Sequence, residues 1–163
     1  MYDVAVLIER QLEPIDADQI VALHEGLDDQ VTYHFILPVE SSAAIMASSL
    51  TALGGGQLVP LDAGEDVDAV QGALRTQGEI ELEASLALFR DRKQDAIGTL
   101  TEDDPVDKLV ELVAECKAAE AIILTESHLV AELLKLDWSS RAKRKLKVPT
   151  LHLLEHEPFD AQR

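Results

Sequence analysis

The sequence predicts a single α/β domain built on an open, parallel five-stranded sheet with helices on both faces. Three observations carry this. DVAVLI at 3–8 and AIIL at 121–124 are unbroken apolar runs, the pattern of parallel strands covered on both sides rather than of half-exposed ones. Segments with apolar residues at helical spacing alternate with the strand-like runs, and such alternation builds parallel sheets through right-handed crossovers. Finally, 163 residues with 47% hydrophobic content suffice for one full core and fall short of two ordinary domains.

The elements follow in order. The first strand is 3–8. Asp16, with Gln19 three places on, has the form of a capping box, and Ile20, Leu23, His24 and Leu27 then share a helical face until Gly26 and the Asp28, Asp29 pair end the helix. In VTYHFIL at 31–37, Val31, Tyr33, Phe35 and Leu37 alternate onto one face, which predicts the second strand. Residues 40–66 read as a variable surface excursion: SSAAIMASSLTAL has little patterning, GGG at 54–56 breaks the chain, and Pro60 confines QLVPLD to an edge.

From 65 to 93 Val67, Val70, Leu74, Leu82, Leu86 and Phe89 recur at helical spacing, with Gly72 and Gly78 arguing against one continuous helix. DAIGTL at 95–100 is a short third strand near an edge. A clear helix follows, with Asp103 or Asp104 as cap, Pro105 at the first helical position, and Val106, Leu109, Val110 and Val113 as its buried stripe. AIIL is the fourth strand. A helix at 127–136, a second helical start at Asp137 and a fifth strand at 149–154 complete the chain.

Composition excludes several functions. Apolar runs reach about five residues, against the roughly 20 needed to span a bilayer, and Asp3 and Glu9 stand where a secretory leader would need a basic end and an apolar middle. A cytoplasmic protein is expected. Cys116 is the one cysteine, so no intrachain disulfide forms, and its place after Leu112 and Val113 reads as a small core residue. A net charge of −17 and 4% aromatic residues argue against nucleic acid and anionic membranes as partners.

The half from Glu81 onward resembles the universal stress protein family. AIGTLTEDDPVDKLVELVAECKAAEAIILTES resembles that family's third strand, its x-G-D-P-x-x-x-I helix start and its fourth strand, and KVPTLHL resembles the closing strand; identity concentrates at Asp104, Pro105, AIIL, Val148 and Pro149. The resemblance implies the adenine-nucleotide α-hydrolase-like fold with strand order 3-2-1-4-5. It also implies a ligand crevice at the carboxyl ends of the strands where the first and fourth diverge, a location that general physics of open α/β sheets supports. In this chain Glu9, Arg10, Pro38, Val39, Thr125, Glu126 and Ser127 border that crevice.

Nucleotide-binding members of the family carry G-x-x-G, nine residues, then G-[S/T], so that backbone amides approach the phosphates. Here the three glycine places fall on Thr125, His128 and Trp138, with Ser139 at the hydroxyl place; a shifted register puts Leu136 and Asp137 there instead, again without glycine. Gly98 is the last glycine of the chain. Side chains at these places disfavour left-handed backbone angles, and Trp138 takes volume a ribose-phosphate needs. Glu9 stands where the family has an adenine-contacting Asp, with a longer arm, and Glu126 adds negative charge beside any phosphate. The expectation is a universal-stress-like module with no cofactor and no catalytic residues. Small-molecule or nucleotide binding (ATP or AMP) in the same crevice is the alternative.

Other constellations read as structural. Arg141, Lys143, Arg144, Lys145 and Lys147 complement a helix C-terminus and surface carboxylates. His152 and His156 share a strand face with His128 elsewhere, but alternation alone does not assemble a zinc site. Ser127 before His128 lacks a nucleophile elbow, and IERQLEP after the first strand lacks the glycines of a phosphate loop. An acidic pair after the first strand, as a phosphoacceptor domain needs, is also missing, with Glu9 and Arg10 in its place. The closing TLHLL strand is expected at a sheet edge, where it pairs with its twin in a homodimer.

Overall fold

A computed structural model of the chain describes residues 1–40, 63–125 and 144–154. Its strands are β1 (Tyr2–Leu7), β2 (Val31–Pro38), β3 (Asp95–Thr101), β4 (Glu120–Thr125) and β5 (Thr150–Leu154). They form one sheet in the order β3-β2-β1-β4-β5, with every neighbouring pair parallel. The helices described are α1 (Pro14–Ala22), α2 (Ala63–Asp91) and α3 (Pro105–Cys116). This is the predicted architecture, and β5 is indeed an edge. No helix among the described residues is long and apolar enough to cross a membrane.

Two cores lie on opposite faces of the sheet. Alternate residues Val4, Val6 and Ile8 of the first strand and its exit join Tyr33, Phe35, Leu37, Ile122 and Leu124 against α1 and the second half of α2. Their neighbours Ala5, Leu7, Ile36, Ala121 and Ile123 pack instead against Val106 and Leu109 of α3. Phe89 of α2 lies 4.9 Å, centroid to centroid, from both Tyr33 and Phe35. Each of these buried rings contributes roughly 2–3 kcal/mol of apolar burial, and each aromatic pair about 1 kcal/mol more.

α1 is shorter than the sequence predicts. Its N-cap is Glu13 with Pro14 in the first turn, and Asp16 sits at the third helical position, where its carboxylate accepts the Glu13 N–H at 2.8 Å. The chain leaves the helix at Leu23, so that of the predicted face only Ile20 and His24 are buried, while Leu23 and Leu27 are exposed. His24 turns inward at that exit. Its ring Nδ1 lies 3.0 Å from both the Ile20 carbonyl and the Tyr33 hydroxyl, and its Nε2 pairs with the Glu120 carboxylate. The end of α1 is thereby fastened to β2 and β4.

α2 begins at Ala63, inside the stretch read as an excursion, and runs unbroken through Gly72 and Gly78; 41–62 lie outside the described residues. Gly78 is where α2 meets the carboxyl end of the sheet, since a Cβ there would stand 3.2 Å from Val39 and 3.3 Å from Leu100. The 15 residues before it span about 22 Å of helix and reach past the strand ends, which explains why Val70 is exposed although it keeps the apolar spacing. Arg75 braces this overhang through Glu102, just after β3, at 3.5 Å.

α3 forms where predicted, with Val106 and Leu109 of its expected stripe buried and Val110 and Val113 half-buried. The Asp104 carboxylate accepts from the Val106 and Asp107 N–H groups at 3.0 and 3.1 Å, and Pro105 opens the helix. The predicted helix at 127–136 and the second start at Asp137 lie outside the described residues.

Candidate functional site

The switch point of this sheet is the cleft between β1 and β4, whose crossovers leave in opposite directions. Leu7 and Ile123 form the last pair of the β1–β4 register, and beyond it β4 runs on to Thr125 while β1 gives way to a bend at Glu9 and Arg10. Alternation from Ile123 puts Thr125 on the α3 face. Glu9 is half-buried, Arg10 exposed, and neither continues the strand; Ile8 ends it with an N–H donated to the Ile36 carbonyl at 3.0 Å.

The chain after β1 is held from the opposite side. Ser85 of α2, fully buried, accepts the Leu12 N–H at 3.0 Å and donates to the Glu81 carbonyl at 2.8 Å. Pro38 is half-buried at the end of β2, and Val39 is tied to the β3 exit by its N–H to the Thr101 carbonyl at 2.8 Å. Val39 also packs against α2 at Gly78, so it serves the helix-sheet contact.

Thr125 closes β4 with 2% exposure, and its hydroxyl shares a 2.8 Å hydrogen bond with Nε2 of His152 on β5. Crowding around the imidazole pushes the His152 pKa below its ordinary value, although the residue as a whole is exposed. The ring is thus favoured in its neutral form. The first of the three glycine places therefore holds a side chain that is packed and engaged. Glu126, Ser127, Trp138 and Ser139, the remaining expected members of the site, lie outside the described residues, as do His128 and His156.

His152 was not among the predicted crevice residues. The two residues stand two register steps apart along their strands, since Ile123 pairs with His152 and Thr125 with Leu154, yet both point to the α3 face. The signal was present in the parity of AIILT and TLHLL, but using it requires the β4–β5 register. The basic run is partly placed: Lys145 reaches Asp107 in the first turn of α3, which is the structural reading of that residue. Cys116 is half-buried beside the α3 core, as expected, and donates its Sγ–H to the Leu112 carbonyl at 3.0 Å.

Two cavities lined by described residues both lie away from the switch point. One of about 340 Å³ opens at the amino end of the sheet beside His24 and Lys93, and one of about 260 Å³ lies between α3 and β3. Among the described residues no group of three or more His, Cys, Asp or Glu side chains is arranged to hold a metal ion.

No protein-family sequence model matches the chain, and no curated protein matches it in sequence. Solved structures match in fold. A protein of the universal stress protein family from Burkholderia pseudomallei superposes with TM-score 0.55 at 17% identity, covering 93% of this chain and 96% of that one. The universal stress protein from Archaeoglobus fulgidus in complex with dAMP gives 0.52 at 11%, covering 93% and 97%. The hypothetical protein MJ0577, whose biochemical function was assigned from its structure, gives 0.63 at 10%, covering 96% and 99%. At these identities the likeness establishes the fold.

Proposed function

We propose that this protein, which has the universal stress protein fold, works as a non-catalytic, dimeric stress-response or interaction module without that fold's usual ATP site. Thr125 carries the reading. A phosphate-cradling turn needs bare backbone at the end of β4, and this position instead has a buried side chain whose hydroxyl is bonded to His152. The net charge of −17 and the half-buried Glu9 just after β1 add a field unfavourable to a triphosphate. The stress-response part of the proposal rests on fold analogy. A cytoplasmic location belongs to the same proposal.

The homodimer would form through β5. The strand is an edge, its sequence TLHLL carries no proline and no lysine, and an unprotected edge of this kind invites pairing with a second copy. Size-exclusion chromatography with light scattering should give twice the chain mass. A strict monomer at micromolar concentration would remove the dimer from the proposal.

A second reading has one observation in its favour: a structure of the same fold was solved with dAMP. On that reading the crevice beside Glu9 and Thr125 takes a nucleotide or another small molecule by contacts other than a glycine cradle. Titration with AMP and dAMP, followed by thermal shift, separates the two readings.

A further inference from the structure

The edge of the sheet opposite β5 has features of its own. β3 is the other edge strand, and the Val39 N–H to Thr101 carbonyl bond fixes which of its backbone groups face inward. By alternation, the N–H and C=O groups of Ala96, Gly98 and Leu100 point away from β2. The strand has no proline and no lysine, and Asp95 is its one charged residue.

The α3 face of the same strand is bare. Ile97 is 56% exposed, and beside it a groove of about 260 Å³ is lined by Phe35, Ile97, Gly98 and Leu112, with Lys108 and Glu115 on its rim. The Lys108 charge is already met by Glu111 at 3.0 Å. Glu115 has no ion-pair partner among the described residues, and Asp95 is exposed at the start of the strand. The rim is therefore net acidic, on a chain that is itself at −17.

We propose that β3 is a docking edge for an extended segment of a partner protein that carries β-branched apolar residues flanked by Lys or Arg. The segment adds a sixth strand through the outward groups of Ala96, Gly98 and Leu100, and seats one apolar side chain against Ile97 and Leu112. Its flanking cations answer Glu115 and Asp95. A second copy of this chain is the poorer occupant, because its β3 carries no Lys or Arg to answer Glu115 and Asp95 and would bring a second Asp95 to the same edge. The proposal is independent of pairing at β5, which occupies the far edge.

The test uses the full chain, labelled for NMR, and the peptide acetyl-Lys-Val-Thr-Ile-Thr-Val-Lys-amide, with a counterpart in which both lysines are glutamates. Saturable shifts are expected at the amides of Ala96, Gly98 and Leu100 and the methyls of Ile97, with the basic peptide only. Ile97→Lys should weaken binding about tenfold, and Glu115→Gln about threefold. Both positions are exposed, so both variants should keep the parent Tm. The proposal is overturned by shifts spread over the acidic surface or centred elsewhere, by equal binding of the glutamate peptide, or by an Ile97→Lys variant that binds as the parent does. It is equally overturned if diluting the protein alone moves the β3 amides, since a second copy then holds the edge.

Discussion

The hydroxyl of Thr125 on β4 and the imidazole Nε2 of His152 on β5 share a hydrogen bond of 2.8 Å, which engages the side chain at the β4 end of the switch-point cleft. Crowding around the ring favours its neutral form by pushing the His152 pKa below its ordinary value. The unfolded chain then takes up this proton more readily than the folded one as pH falls below about 6.5. A His152→Asn variant lacks that penalty. The stability of the parent relative to the variant should be constant with pH above about 7.5 and fall progressively on going from pH 7 towards about 5. Urea midpoints across that range check it, and a difference independent of pH would refute it.

At the opposite, amino end of the sheet His24 holds α1, β2 and β4 together. Replacing it by alanine would leave the Glu120 carboxylate and the buried Tyr33 hydroxyl without their partner. The expected loss is about 2–4 kcal/mol of unfolding free energy. Chemical denaturation reads this directly, and a loss below about 0.5 kcal/mol would show that the network does not fasten α1.

Burial pushes the Cys116 thiol above its usual pKa, and the Asp3 and Glu115 charges act in the same direction. Its proton is also held on the Leu112 carbonyl. Alkylation by iodoacetamide near pH 8 should be at least about tenfold slower in the native protein than in urea. Equal rates would mean that the thiol is not part of the α3 core.

The strands were legible because burial on both faces leaves an unmistakable trace: Val4 to Ile8 and Ala121 to Leu124 are apolar without interruption, and all are buried. The Asp104-Pro105 start was legible from local chemistry alone. What failed was the use of periodicity without length. Leu23 and Leu27 keep the spacing of the α1 face, but the chain has already left the helix, and Val70 keeps the spacing of α2 where the helix has run past the sheet. Gly78 looked like a breaker and is a close approach to Val39 and Leu100. The place of Thr125 at the end of β4 followed from topology, whereas the His152 partnership depends on the β4–β5 register, which no local pattern encodes.

The most direct test of the central claim is thermal unfolding of the protein with and without about 1 mM magnesium ATP. A closed Thr125 position predicts a Tm unchanged within about 1 °C. A rise of about 5–10 °C, expected when ligand exceeds its Kd about a hundredfold in a domain of this size, would contradict the account.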